Sequence, residues 1–183
     1  MQELSRRAAL ALPLIAAGAA FAAAGDADNT MTLTLKNGKV LIRLRPDWAP
    51  NHVEQIKALV KRGFYDGIVF HRVIPGFMAQ TGDPTGTGSG HSDLPNVKAE
   101  FNQTPFKRGI VAMARSQDPD SANSQFFIVT ADSDFLDGQY TAFGEVVSGM
   151  DLVDKIKAGT QANNGAVANP DKIVTLKMAG SAK

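Results

Sequence analysis

Few side chains in this chain suit bond-making chemistry. The histidines His52, His71 and His91 are scattered, and no two stand at the i, i+4 spacing that would hold a metal on one helix face. There is no cysteine, which excludes thiolate nucleophiles, disulfides, thiolate zinc sites and iron–sulfur clusters. No Gly-x-Ser-x-Gly elbow offers a serine nucleophile. Gly82, Gly86, Gly88 and Gly90 are spaced like a phosphate cradle. No Gly-Lys-Ser/Thr follows and no helix clearly starts there, so the stretch reads as a flexible surface loop. Chemistry that moves no heavy atom between partners is what these exclusions leave.

Two stretches carry polar and apolar side chains in a pattern that could do such chemistry. The first runs from Phe70 through His71-Arg72-Val73-Ile74-Pro75-Gly76-Phe77-Met78-Ala79-Gln80 to Asp83. The second is Ser124-Gln-Phe-Phe-Ile-Val129. Residues two apart in a strand share a face. Phe70 pairs with Arg72, Met78 with Gln80, and Gln125 with Phe127, while Phe126 and Ile128 point the other way. One face is apolar and fits a core; the other mixes Arg, Gln, Met and Phe. By pattern alone, Met78 and Phe127 read as core residues and Arg72 as a solvated strand charge.

The surrounding elements are mostly strands. Met31 to Lys36 alternates apolar and polar, Asn37-Gly38 is a hairpin turn signal, and Val40 to Arg45 returns as the partner before Pro46. Asn51 is expected to cap a helix reaching about Arg62, with Val53, Ile56, Leu59 and Val60 on one face and Gly63 closing it. Ile68–Val73, Phe77–Thr81, Gly109–Ala114, Gln125–Thr130, Ala142–Val147 and Lys172–Met178 are further strands, and Met150–Lys157 is a second short helix. Short strands separated by turn signals point to an antiparallel sandwich or barrel. Two helices are too few for the crossovers of a doubly wound parallel sheet.

At 183 residues, with 44% hydrophobic and 20% charged residues, the chain has enough material for one domain and is neither disordered nor fibrous. A net charge of +1 advertises neither nucleic acid nor an anionic membrane. Residues 1–24 read as a signal peptide: Arg6 and Arg7, then an uncharged Ala/Leu-rich run, then Ala-x-Ala sites that place cleavage after Ala22 or Ala24. A transmembrane anchor is the alternative, but the run is short and diluted by Ala and Gly. Ser5-Arg6-Arg7 also partly matches a twin-arginine signal, so the export route stays open. Residues 25–183 form the expected single mature domain, formally neutral once the leader is removed.

The Phe70–Asp83 stretch resembles the signature of the cyclophilin family of peptidyl-prolyl isomerases. Met113-Ala-Arg, Ser124-Gln-Phe-Phe-Ile, Phe135-Leu-Asp-Gly and Phe143-Gly-Glu-Val match in the same order, so the similarity spans roughly Met31 to Met178. The overall form resembles the exported bacterial branch. The resemblance implies a mainly β fold, a closed eight-stranded antiparallel barrel capped by two helices, with a proline-binding groove outside. It implies Arg72 as the catalytic arginine, with Gln80 orienting it, and Phe77, Met78, Phe127 and Leu136 as the proline pocket. Gln125 matches a groove amide, and Ala114 with Arg115 matches the segment whose backbone pairs with the peptide. No cofactor or metal is implied. The implied partners are proline-containing peptides and unfolded or folding exported proteins in the periplasm, met by a monomer without nucleic acid or stable membrane insertion.

Three positions depart from the animal members of the family. Phe135 stands in place of Trp and Tyr140 in place of His, each still forming part of the expected binding wall. Arg115 stands in place of Asn, which changes the charge beside the groove. A non-catalytic proline-peptide binder or holdase on the same barrel is the alternative; it would not need Arg72.

Overall fold

Residues 27–180 are described by a computed structural model; the leader expected over residues 1–24 lies outside them. Eight strands form one antiparallel sheet in the order β3-β4-β6-β5-β7-β2-β1-β8. They are β1 (Thr30–Leu35), β2 (Gly38–Leu44), β3 (Arg72–Ile74), β4 (Met78–Thr81), β5 (Ile110–Met113), β6 (Phe126–Val129), β7 (Ala142–Ser148) and β8 (Thr175–Met178). Helix α1 (Pro50–Lys61) and the single turn α2 (Met150–Val153) cap the curled sheet. Among the described residues no helix is long and apolar enough to cross a membrane.

The alternation read from the sequence becomes two apolar clusters. Val73, Ala79, Val111, Met113, Phe126 and Ile128 point inward, joining Leu33, Ile42, Ile56 and Leu59 in the interior. Their strand neighbours Met78, Ile110, Ala112, Phe127 and Val129 point outward and bury themselves with Phe106, Leu136 and Ala142 in a second cluster. A sheet with apolar residues on both faces needs a cover on each. The covers of the outer face are the Phe106 loop and the 3₁₀ turn Asp134–Leu136.

The structure corrects three expectations. The barrel is an open half-barrel. β3 and β8 stand at opposite ends of the ladder order and do not pair as strands. Irregular backbone stitches the gap, with Phe70 N donating to Asp171 O at 2.8 Å and Ile173 N to Ile68 O at 2.8 Å. Strand β3 is too short for more, because the Pro75-Gly76 bend follows at once. Asn51 does not cap α1. Ala49 occupies that position without a side-chain bond. The Glu100 carboxylate accepts from Asn51 N and His52 N at 3.2 and 3.0 Å instead, a cap supplied from 48 residues away in sequence. The first hairpin pairs Leu35 with Gly38, so its two-residue loop is Lys36-Asn37, one position earlier than the turn signal suggested.

Candidate active site

The β3–β4 hairpin sets Arg72 opposite Gln80, and β4–β6 sets Gln80 opposite Phe127 and Met78 opposite Val129. All of these but Val129 line the mouth of a cavity of about 800 Å³ on the outer face of the sheet. Ten of the eleven residues expected from the sequence line it: Arg72, Phe77, Met78, Gln80, Ala114, Arg115, Phe127, Phe135, Leu136 and Tyr140. The eleventh, Gln125, lines an adjoining cavity of about 340 Å³ that shares Gln80, Ala114 and Arg115 with it.

The floor is buried and apolar. Met78 is 1% exposed and Phe127 5%, so both are core residues and pocket residues at once. Phe127 stacks against Phe106 at 6.4 Å and meets Tyr140 edge-on at 5.8 Å. Phe135 is 65% exposed and leans on Phe77 at 5.3 Å, forming a rim. On the far wall the Arg115 guanidinium lies 4.6 Å over the Tyr140 ring. It donates to the Gln139 carbonyl from Nε and Nη2 and to Ser116 O at 2.9 Å from Nη1. Its backbone N–H and C=O have no partner among the described residues, which leaves both free beside the pocket.

A directed chain of hydrogen bonds crosses the other wall. Arg72 Nη1 donates to Gln80 Oε1 at 3.1 Å, and Gln80 Nε2 donates to Gln125 Oε1 at 2.9 Å. Gln125 Nε2 then donates to the carbonyls of Gly88 and Gly90 at 3.0 and 2.8 Å. A guanidinium only donates and a carbonyl only accepts, so both ends force the same orientation on the two amides. Arg72 is further held by Asn164, whose carbonyl accepts from Nε at 3.0 Å and whose Oδ1 accepts from Nη2 at 2.9 Å. Partial burial pulls the Arg72 guanidinium below its ordinary value, yet an arginine so held stays charged at neutral pH.

The glycine-rich stretch is ordered rather than loose. Asp83 is buried and accepts from Thr85 N, Thr85 Oγ1 and Gly88 N at 2.7, 2.8 and 2.6 Å. Burial acts to raise its carboxyl, but the bonds from Thr85, Gly90 and Gly88 outweigh that and hold it down at about 2. The loop therefore has a built anion inside it, which further disfavours a phosphate there. Among the described residues no group of three His, Asp or Glu side chains could hold a metal ion.

A family model described as cyclophilin type peptidyl-prolyl cis-trans isomerase/CLD matches residues 30–178, the whole of the eight-stranded sheet. The chain belongs to the cyclophilin family. A relative from Brucella suis, named "Probable peptidyl-prolyl cis-trans isomerase", is 56% identical over 173 residues, covering 88% of each chain. The crystal structure of a cyclophilin from Hirschia baltica is similar, with a TM-score of 0.76 at 31% identity, over 86% of this chain and 76% of that one. A Cryptosporidium parvum cyclophilin, crystallised in the presence of the dipeptide Ala-Pro, gives a TM-score of 0.74 at 26% identity, over 81% and 98%. This cyclophilin is accordingly a peptidyl-prolyl cis-trans isomerase.

Sequence reasoning did not find the segment that closes the arginine's side of the groove. Asn163, Asn164, Ala166 and Val167 line the cavity. Asn164-Gly165 is legible as a turn, but nothing local says that the turn lands on β3. His71 also reaches the cavity, buried, with neither ring nitrogen bonded to a described residue.

Proposed function

We propose that this isomerase holds the ring of an X–Pro segment against Met78, Phe127 and Leu136 while Arg72 stabilises the bond as it twists, and that its substrates are polypeptides exported from the cytoplasm. The observation that carries the catalytic part is the fixed guanidinium. Three of its N–H donors are committed to Gln80 and Asn164, which leaves two of the five for substrate at the edge of the cavity's apolar floor of Met78, Phe127 and Leu136.

An X–Pro bond resists rotation by about 18–20 kcal/mol because amide resonance is lost midway. In the twisted state the proline nitrogen regains a lone pair. A donor fixed beside it is worth more there than against either planar isomer, which is the condition for catalysis. The buried floor excludes water and so strengthens that interaction. Lowering the barrier by about 7 kcal/mol would give about 10⁵-fold acceleration. Gln80 and Gln125 keep the guanidinium in place, and the free backbone of Arg115 holds the flanking peptide. Phe135 and Tyr140 wall the pocket where other members carry Trp and His.

The leader read over Met1–Ala24 supports the export of this chain, and hence substrates that fold outside the cytoplasm. Uncatalysed prolyl isomerisation takes tens of seconds and can limit folding there. The test is cis–trans exchange of a short X–Pro peptide followed by NMR, with the protein and its Arg72→Ala variant. We expect the variant to lose about 100-fold or more in turnover while still binding peptide. A variant as fast as the wild type would overturn the role given to Arg72. Recovery of the protein only in the cytoplasm, with residues 1–24 attached, would overturn the exported role.

A further inference from the structure

We propose that Asn164 is a positioning residue for the isomerisation, fixing the plane of the Arg72 guanidinium from the side opposite Gln80 without cancelling its charge. The inference rests on Arg72 being the catalytic group. Asn164 O accepts from Arg72 Nε at 3.0 Å and Asn164 Oδ1 accepts from Nη2 at 2.9 Å. These two N–H groups are parallel and form one edge of the guanidinium, the fork usually filled by the two oxygens of a carboxylate. Here one neutral residue supplies both oxygens, one from the main chain and one from the side chain. A carboxylate would hold the arginine as firmly but would oppose the positive field that the reaction uses.

Both oxygens of one residue can reach the same edge only from an unusual backbone. Asn164 has φ 55° and ψ 33°, a left-handed conformation that Asn tolerates better than most residues. The turn is held from behind: Asn164 N donates to Gln161 O at 3.1 Å and Gly165 N to Thr160 O at 2.8 Å. Thr160 and Asn163 add a reciprocal capping box around Gln161–Asn163. The next residue must be glycine. Gly165 has φ 80°, and a Cβ there would stand 2.4 Å from Ile74 Cγ1.

That close approach docks the turn on the catalytic strand itself. Val73 N donates to Gly165 O at 2.8 Å and Gly159 N to Val73 O at 3.0 Å, while Ala166 bridges Arg72. The arginine and its restraint are therefore tied to the same strand. With Gln80 alone, a single bond to Nη1 would leave the group free to pivot about that one contact. With Asn164 as well, the plane is fixed from two sides, and the two uncommitted N–H donors keep one direction.

The test measures kcat and KM for an X–Pro peptide in the intact protein, alongside rotation of the Arg72 guanidinium by ¹⁵N NMR. Asn164→Gly keeps the backbone carbonyl and tolerates the left-handed turn, but removes the side chain and with it the bond from Arg72 Nη2 to Oδ1. We expect kcat to fall about tenfold, KM to stay within about twofold, and the guanidinium to rotate faster. Asn164→Asp keeps an acceptor at the same place and should restore the slow rotation, which separates positioning from misfolding. Thermal denaturation of both variants should stay close to that of the wild type, since Asn164 is exposed. Wild-type kcat in Asn164→Gly, with Arg72→Ala inactive, would overturn the inference and leave the role of Arg72 intact. A raised KM with unchanged kcat would make Asn164 a peptide contact and also overturn it. An active Arg72→Ala would remove the reading beneath it.

Discussion

Replacing Gln80 by glutamate changes one atom type in the middle of the groove wall and almost no volume. Gln80 Oε1 accepts from Arg72 at 3.1 Å and its Nε2 donates to Gln125 Oε1 at 2.9 Å. In Gln80→Glu the second carboxylate oxygen meets Gln125 Oε1, acceptor against acceptor. Turning the Gln125 amide would cure that contact and break its bonds to the Gly88 and Gly90 carbonyls. Leaving one such group unpaired costs about 1–3 kcal/mol of stability. The larger effect falls on catalysis. A substrate atom on the far side of the guanidinium stands on the order of 6 Å from the new carboxylate, and at an effective dielectric of about 20 that charge opposes Arg72 by about 3 kcal/mol. Turnover should therefore fall about 100-fold. Gln80→Met removes the same hydrogen bonds without adding charge and should lose only about tenfold. Peptide cis–trans exchange by NMR measures both variants. Equal rates for the Glu and Met variants would refute the electrostatic term, and a Glu variant within about twofold of the wild type would refute the placement of Arg72 at the twisting bond.

Asp83 offers a pH test of the loop that anchors this wall. Its folded carboxyl is held at about 2, below its ordinary value of 3.8. The stability it contributes is therefore fully present above about pH 4 and lost as pH falls toward 2. Integrated over that shift it amounts to about 2 kcal/mol. Asp83→Asn should be destabilised by about that much at pH 7 and lack that share of the acid loss, as read from denaturant midpoints; parallel pH curves for the two proteins would contradict this. Gly82 has φ 92°, and a Cβ there would stand 2.3 Å from the Ser124 carbonyl oxygen. Backbone cannot yield as a side chain does, so Gly82→Ala should cost about 3 kcal/mol or more by equilibrium unfolding, and a loss under about 1 kcal/mol would show that the β4–β6 approach is looser than described.

The sequence carried the strands and most of the site for a single reason: both depend on alternation. Phe126 and Ile128 against Gln125 and Phe127, and Ala79 against Met78 and Gln80, assign each side chain to a face once the segment is extended. Those faces are the ones found, but the expected pairing of Phe70 with Arg72 fails: β3 begins only at Arg72, and Phe70 lies in the inner cluster while Arg72 lines the outer cavity. The same alternation could not say that the outer face would also be buried. By pattern alone Met78 and Phe127 read as core; in the folded chain they are core and pocket at once, because Phe106 and Leu136, from segments outside the two strands, cover them from one side only.

What lay beyond the sequence is where long-range backbone meets a short strand end. Strand β3 has three residues; too short to close the sheet, it pairs its outer edge with a turn nearly a hundred residues later. That pairing leaves the barrel open and brings Asn164 to Arg72. Helix α1 shows the same limit, since its start is set by Glu100 rather than by a neighbouring cap. By itself the sequence determined the residue types, the faces they occupy and the family they belong to, because period and motif are local properties of a chain. The direction in which Arg72 points was decided only by the tertiary structure. A guanidinium on a flexible stem takes its orientation from its acceptors, and those acceptors are brought together by folding.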